Sequence, residues 1–246
     1  TPLLPFALSK AKSSGLKEGR ILLAGNREDS IYYAGELIRY FLRKSGIKVA
    51  GKIRRGEVQP KSDHLLLHHL SPDTLDQVIA HLMEFSNNYI ANQLLLTAGA
   101  TALGSPGTLK KGVKIAATYA REYLGLKHIS IVEGSGLSRQ NRISASAMIE
   151  LLKHFEPYYQ LLRHENKEFY KTGTLNNVRS RAGYLEGDDG RRYPFVVLIN
   201  TPEKSTKPAM QIFRQIISLL PKNKSNQFKQ KSSYINELNF AVPLVI

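Results

Sequence analysis

Apolar residues recur at helical spacing over the first two thirds of the chain and at alternating positions further on. The helical pattern predicts five helices before residue 156, each opened by a side chain that can cap its first turn. We expect them to begin at Asp29 or Ser30, at Ser71, at Ser86 or Asn87, at Ser105, and at Ser144 or Ser146. Shorter alternating runs predict strands at residues 20–25, 47–51, 64–70 and 128–132.

The stretch from residue 170 to residue 200 predicts three consecutive antiparallel strands. Residues 187–190, Gly-Asp-Asp-Gly, are turn formers that precede the aromatic and β-branched run 193–199, which is a hairpin signature. An amphipathic helix at 208–220 then leads to a polar segment and an apolar end at 240–246. Helices followed by strands and a closing helix are typical of an α+β domain.

Composition narrows the possible function classes. The chain has 246 residues, 35 Lys and Arg against 20 Asp and Glu, and a formal charge of +15, which favours an anionic partner such as nucleic acid or an envelope surface. The basic residues are scattered and no nucleic-acid motif is present, so we favour a generally basic solvated surface. The absence of cysteine excludes disulfide scaffolds, thiolate zinc sites and a cysteine nucleophile.

The ends of the sequence and its histidines suggest little chemistry. No apolar run reaches the roughly 18 residues that span a bilayer, and residues 1–6 lack the features of a signal peptide. We expect a cytoplasmic protein or one whose leader lies outside this chain. His68 and His69 fall on opposite faces of the predicted strand 64–70 without acidic neighbours, so we expect surface histidines there and no metal site.

Two short motifs mean little alone and more together. Ser86 and Asn88 belong to a Ser-Asn-Asn junction between predicted helices, where capping is a sufficient explanation. Lys171 opens a Lys-Thr-Gly triplet on a predicted strand, where an ammonium, a hydroxyl and bare backbone suit an anionic ligand. A Ser-x-Asn junction followed by Lys-Thr-Gly on a strand provides two of the three motifs of penicillin-recognising serine enzymes, the third being Ser-x-x-Lys.

The wider sequence resembles the class C penicillin-binding proteins, the D-alanyl-D-alanine carboxypeptidase and endopeptidase family of the penicillin-binding protein 4 type. The resemblance extends from about residue 21 to residue 220, and two departures stand out. Glu133 replaces the aspartate of the family's usual Asp-Gly-Ser-Gly, and no convincing Ser-x-x-Lys is present. The stretches that carry the resemblance are Tyr32-Tyr33-Ala34-Gly35-Glu36-Leu37, Gly134-Ser135-Gly136-Leu137-Ser138-Arg139 with Asn141, Lys171-Thr172-Gly173-Thr174-Leu175 and Ala182-Gly183-Tyr184.

The resemblance implies an α+β fold, in which an antiparallel sheet has flanking helices and a helical subdomain, as in penicillin-recognising serine transferases and β-lactamases. Residues 1–246 would be the C-terminal part of the transpeptidase-like domain. Residues 71–124 would form a helical layer with Ser-x-Asn, and residues 126–220 the sheet, the Lys-Thr-Gly strand and the closing helix. Residues 221–246 would be a polar and then apolar tail.

The resemblance also implies acyl transfer on the D-Ala-D-Ala end of peptidoglycan stem peptides through a serine acyl-enzyme. Ser86 would lie in the proton path to the leaving nitrogen. Asn88 would hold the substrate amide and the lysine of the absent motif. Lys171 would hydrogen-bond toward Ser86 and supply positive potential to the substrate carboxylate.

The strand that begins at Lys171 would complete the substrate site. The hydroxyls of Thr172 and Thr174 would lie near the substrate carboxylate, and Gly173 would allow close approach to the backbone. The backbone N–H of Thr174 would be one oxyanion donor, with the second supplied by the nucleophile. The implied chemistry uses no metal or organic cofactor.

The implied partners are peptidoglycan peptides, β-lactams and the missing N-terminal segment of the same protein, in the periplasm or cell envelope, with possible contact to an envelope surface. Nucleic acid is not expected. The alternative is a non-catalytic homologue that binds peptidoglycan or an anionic polymer. Labelled penicillin distinguishes the two, because only the enzyme forms a covalent adduct.

One Ser-x-x-Lys spacing, from Ser14 to Lys17, needs separate treatment. The chemistry requires the serine and the lysine on one face of a helix. Gly15 and Gly19 would each cost about 1 kcal/mol relative to alanine inside a helix, so we expect a turn there. We therefore expect that the chain by itself is not acylated.

Overall fold

The structure, a computed structural model, describes residues 4–15, 26–59, 61–66 and 68–220. The helices are α1 (Pro5–Ser13), α2 (Arg27–Lys44), α3 (Leu75–Phe85), α4 (Asn88–Leu103), α5 (Leu109–Thr118), α6 (Ala145–Phe155) and α7 (Lys207–Ser218). The strands are β1 (Ile129–Ser130), β2 (Arg142–Ile143), β3 (Arg163–Glu165), β4 (Glu168–Leu175), β5 (Val178–Glu186) and β6 (Arg192–Ile199). A π-helical turn, Tyr119–Tyr123, continues α5, and a 3-10 segment, Glu156–Leu161, follows α6. The chain divides into two compact units, Thr1–Leu70 and Ser71–Ile246.

The first unit is built on the pairing of α1 with α2. The ring of Phe6 lies 5.8 Å from that of Tyr32, and its backbone N–H donates to the buried carboxylate of Glu36. Asn26 caps α2 by accepting from the N–H of Asp29, so the helix begins before the predicted Asp29 or Ser30. The sequence pattern did not predict α1.

Two strand predictions in this unit are wrong. The described residues of 47–51 and 64–70 form no strand, and Leu65 and Leu66 are 83% and 94% exposed. An alternating pattern forms a strand when a neighbouring strand pairs with it, and among the described residues none does so here. The strand predicted at 20–25 and the apolar end at 240–246 lie outside the described residues.

Two negative findings apply to the described part of the chain. It contains no group of three or more His, Cys, Asp or Glu side chains that could hold a metal ion. None of its helices is both long enough and apolar enough to cross a membrane.

The second unit contains an antiparallel sheet with strand order β3-β4-β5-β6. The three strands predicted between residues 170 and 200 are confirmed as β4, β5 and β6. The short β3, which was not predicted, pairs with the beginning of β4 and leaves it after Tyr170. A separate two-stranded ribbon joins β1 to β2.

The register of the sheet separates two apolar cores. Phe169 and Tyr184 are paired on the face that packs against α3 and α6, and the hydroxyl of the fully buried Tyr184 donates to the backbone oxygen of Leu152. Tyr170 lies on the other face, where it packs with Met210 of α7. The sheet is thus buried between helices on both sides.

The helix caps show where sequence signals were approximate. Thr74, not Ser71, caps α3 through a reciprocal capping box with Gln77, which satisfies two backbone donors at once. Thr108, not Ser105, caps α5. The predicted caps Asn87 of α4 and Ser144 of α6 are confirmed.

Helices α4 and α5 approach so closely that glycine is required at their contact. A Cβ added at Gly99 would lie 2.4 Å from the backbone nitrogen of Gly112, and one added at Gly112 would lie 2.3 Å from the backbone oxygen of Leu95. Because both obstacles are backbone atoms, rotation of a side chain cannot relieve either overlap.

Gly99→Ala is therefore expected to lower the free energy of unfolding by about 2 kcal/mol, because overpacking outweighs the gain of about 1 kcal/mol in helix propensity. Urea unfolding followed by circular dichroism measures this change in the free energy of unfolding. Gly56→Ala is the control, since no atom lies within 4 Å of its added Cβ. Equal stability of the two variants would show that α4 and α5 are not packed in this way.

Candidate active site

Ser86 occupies a strained junction between α3 and α4. It is the C-cap of α3, with φ 53° and ψ 52°, and its N–H donates to the oxygen of Leu82 at 2.8 Å. The side chain of Asn87 then accepts from the N–H groups of Tyr89 and Ile90 and starts α4. A left-handed conformation is uncommon for a residue other than glycine. The two helices hold Ser86 in it and leave the residue exposed.

Lys171 reaches this junction from the sheet. Its ammonium donates to the hydroxyl of Ser86, 85 positions away in the chain, and to the backbone oxygen of Thr172 at 3.3 Å. Burial lowers the pKa of Lys171, and the nearby carboxylate of Glu84 partly opposes this effect. The structure thus brings together a half-buried cation and an exposed hydroxyl, an arrangement suited to proton transfer.

The other predicted site residues lie on α4 and β4. Asn88 is the exposed first residue of α4, two positions after Ser86. Gly173 is paired with Ser180 of β5, and an added Cβ would lie 2.4 Å from the Ser180 hydroxyl oxygen. Thr172 and Thr174 are exposed, and strand alternation places them on the opposite face from Lys171.

One edge of β4 is open beside Lys171. Pairing with β3 ends at Tyr170, whereas pairing with β5 continues to Leu175. Within the described residues, the edge from Lys171 to Leu175 therefore has no strand partner on the β3 side. Such an edge offers backbone donors and acceptors to an extended ligand.

The loop formed by residues 133–141 is organised around the carboxylate of Glu133. This carboxylate accepts from the N–H and hydroxyl of Ser135 at 2.7 and 2.5 Å, from the N–H of Ser138 at 3.2 Å and from the amide of Asn141 at 2.5 Å. Burial raises the pKa of Glu133, but the hydrogen bonds from Ser135 and Ser138 outweigh it and hold the pKa below its usual value. Glutamate thus closes this loop where the resembled family has aspartate.

The same loop is fixed to α4. The N–H of Gly134 donates to the side-chain oxygen of Asn92 at 2.8 Å. A Cβ at Gly134 would lie 2.7 Å from the backbone oxygen of Ala91, so glycine allows the two backbones to touch. The sequence did not reveal the role of Asn92, although its position on the helix after Ser-x-Asn was a usable signal.

The structure also bears on the Ser-x-x-Lys question. Ser14 follows the last residue of α1 and Gly15 has φ +68°, which confirms the predicted turn, while Lys17 lies outside the described residues. A second Ser-x-x-Lys spacing, which was not predicted, runs from Ser9 to Lys12 within α1. Both are exposed, without the burial that activates a lysine as a base.

Comparison with known proteins identifies related sequences. The family model described as "D-Ala-D-Ala carboxypeptidase 3 (S13) family" matches residues 23–165 and 163–220. The D-alanyl-D-alanine carboxypeptidase DacB of Haemophilus influenzae is 26% identical over 194 residues, which cover 68% of this chain and 40% of DacB. A D-alanyl-D-alanine carboxypeptidase of an Actinomadura species is 28% identical over 188 residues, which cover 64% of this chain and 34% of that protein. The chain therefore spans less than half the length of these relatives.

Solved structures show the same fold. Penicillin-binding protein 4 of Haemophilus influenzae, complexed with a β-lactam, has a TM-score of 0.62 and 22% identity, and the match covers 75% of this chain and 51% of that one. A second structure of that protein has a TM-score of 0.58 and 23% identity, and covers 75% and 47%. The predicted α+β fold, an antiparallel sheet with flanking helices, is confirmed.

Glu133→Gln is expected to lower the free energy of unfolding by about 1–2 kcal/mol at pH 7, because the amide loses charge-assisted hydrogen bonds. A carboxyl group whose pKa is lowered in the folded state stabilises the fold at pH values above its ordinary pKa of about 4.3. This stabilisation is lost as the pH falls through the folded-state pKa. The difference from the unaltered chain should therefore shrink below about pH 4. Urea unfolding at pH 7 and pH 3 measures it.

Glu57→Gln is the matched control, because Glu57 is exposed and we expect its replacement to matter little at either pH. A stability difference for Glu133→Gln that is the same at both values of pH would contradict the role of the carboxylate.

Proposed function

The chain belongs to the D-Ala-D-Ala carboxypeptidase 3 (S13) family, and we propose that the whole protein is a serine D-Ala-D-Ala carboxypeptidase or endopeptidase that acts on peptidoglycan stem peptides. The observation that carries the proposal is the contact between the ammonium of Lys171 and the hydroxyl of Ser86. Either residue alone has a structural explanation. A half-buried lysine directed at a serine in a strained helix junction is better explained by chemistry.

In the proposed reaction, a nucleophilic serine attacks the penultimate carbonyl, the terminal D-alanine leaves, and water hydrolyses the acyl-enzyme. Ser86 passes a proton toward the leaving nitrogen, and Lys171 orients its hydroxyl. The charge of Lys171 also attracts the substrate carboxylate. Its partial burial supports both roles, because burial strengthens the field of the ammonium and lowers its pKa toward the range where protons transfer readily.

The open edge of β4 would bind the peptide in an extended conformation. The absence of a side chain at Gly173 lets the substrate backbone approach, and the N–H of Thr174 is the proposed oxyanion donor. Thr172 and Thr174 lie on the opposite face of β4 from Lys171. Their proposed contacts with the substrate carboxylate therefore require that the carboxylate bind at the edge of the strand, within reach of both faces. Asn88 would hold the substrate amide.

The proposed partners are peptidoglycan peptides, β-lactams and a further segment of the same protein that provides the Ser-x-x-Lys nucleophile. This chemistry places the protein in the periplasm or cell envelope, since its substrate lies there. The alternative is a non-catalytic homologue that binds peptidoglycan or an anionic polymer. The exposed positions of Ser9 and Lys12 and the net charge of +15 favour that alternative.

In the full-length natural protein, Lys171→Ala is expected to slow acylation by a fluorescent penicillin by roughly 100-fold, the lower range for loss of a proton-transfer group. The melting temperature should change little, because Lys171 is only partly buried and its hydrogen bonds to Ser86 and Thr172 are exposed. Lys167→Ala, which removes an exposed lysine paired with Asp188, should leave acylation unchanged. Absence of any adduct on the unaltered full-length protein would overturn the enzyme proposal. Parallel losses of stability and acylation in Lys171→Ala would indicate a structural lysine.

The chain of 246 residues by itself is expected to form no covalent adduct with penicillin, because Ser9 and Lys12 are exposed and Ser14 lies in the turn that ends α1. Mass spectrometry of the intact chain after incubation with a penicillin, followed by peptide mapping, provides the measurement. An adduct on Ser9 would make α1 the nucleophile helix. An adduct on Ser14 would contradict the turn at Gly15. Chain denatured before incubation is the control for nonspecific acylation.

A further inference from the structure

We propose that Arg139 is a positioning residue, one that holds the end of β4 in place relative to the Ser86 junction. Its guanidinium donates to the backbone oxygen of Asn176 at 2.6 Å. This inference rests on the proposed function, because it gives Arg139 a part in aligning the two groups that would transfer the proton. Arg139 itself touches neither Ser86 nor Lys171 through any hydrogen bond of the described residues.

The loop that carries Arg139 is held in one conformation and is fixed to α4. Glu133 and Asn141 fix its shape, since the amide oxygen of Asn141 also accepts from the N–H of Val132 at 2.8 Å. Gly134 fixes it to α4 through Asn92. The loop is thus a rigid extension of α4, the helix that begins two residues after Ser86.

The other end of the contact lies in the turn between β4 and β5. Asn176 and Asn177 connect β4 to β5 in a tight turn, with Leu175 paired to Val178 and φ of 59° at Asn177. The turn is short, so its position and the end of β4 move together. A contact that holds the oxygen of Asn176 therefore holds the segment between Lys171 and Leu175.

Contacts between the sheet and the helices hold β4 near Ser86. Ile79 and Met83 of α3 pack against Tyr184 in an apolar core. Lys171 donates to Ser86, and Arg139 donates to the backbone oxygen of Asn176. Beyond Tyr170, β4 has no strand partner on the β3 side among the described residues, so the bond from Arg139 adds a restraint where that edge is unpaired. Arg139 is thus suited to fix the position of the end of β4 relative to the Ser86 junction.

The test uses the full-length natural protein with Arg139→Met, which keeps the length of the side chain and removes the donors. Arg139→Lys keeps a donor and is expected to recover part of the loss. Arg142→Met is the matched control, because Arg142 is an exposed arginine three positions along in β2. Acylation by a fluorescent penicillin is resolved into the noncovalent dissociation constant and the rate of the acylation step.

We expect Arg139→Met to slow the acylation step by roughly 10- to 100-fold, because a misplacement of reacting groups by about 1 Å has an effect of this size. The noncovalent dissociation constant should change by less than about threefold. Amide hydrogen exchange at residues 171–178 should be faster than in the unaltered protein, while Arg142→Met should match the unaltered protein in all three measurements. An unchanged acylation step would overturn the proposal, as would unchanged exchange at residues 171–178.

The two measurements separate this inference from the proposed function. If the unaltered protein forms no penicillin adduct, the proposed function fails, and the inference that Arg139 aligns reacting groups fails with it even where exchange is faster. If the unaltered protein is acylated and Arg139→Met is acylated at the same rate, the positioning role fails while the proposed function stands. Equal melting temperatures of Arg139→Met and Arg142→Met would assign a slower acylation step to alignment instead of to loss of the fold.

Discussion

The pairing register of β4 with β5 is the constraint on which the site depends. Side chains alternate between the two faces of a strand, so a slip of one residue would move Lys171 to the face covered by α7. Glycine helps to fix the register: a Cβ on Gly183 would lie 1.9 Å from the backbone oxygen of Phe169, and one on Gly173 would meet Ser180. Both glycines fit the observed pairing because the opposite strand occupies the space of their side chains.

The parts of this fold that follow from local sequence were predictable. Three strands and the turn between the last two are encoded by alternation and by Gly187 to Gly190, all within about 30 residues. Helices α2 to α7 were also predictable, although two caps lie three residues after the expected position. At Ser71 and Ser105 the following proline suggested a first turn, whereas Thr74 and Thr108 provide the observed hydrogen bonds to the helix N-termini.

The parts that depend on distant partners were not predictable. The strand β3 has no apolar alternation and exists because it pairs with β4, and the alternating run 64–70 has no strand partner within the described residues. The role of Asn92 depends on Gly134, 42 positions later. A motif can suggest that Ser86 and Lys171 belong together, but the contact itself requires the register of the sheet and the strained junction after α3.

A buried charge completes the restraint on β4. Glu168, which is 3% exposed, is the first residue of the strand. Its carboxylate forms ion pairs with Arg181 of β5 at 2.5 Å and with Arg214 of α7 at 2.8 Å. Loss of both pairs would leave an uncompensated buried charge, which is strongly destabilising, so the two pairs hold the beginning of β4 in place. Lys171 lies between this fixed end and the turn at Asn176. The strand that presents the lysine is therefore anchored by charge at its start and by the hairpin turn at its end, and the ammonium between them has a defined path to Ser86.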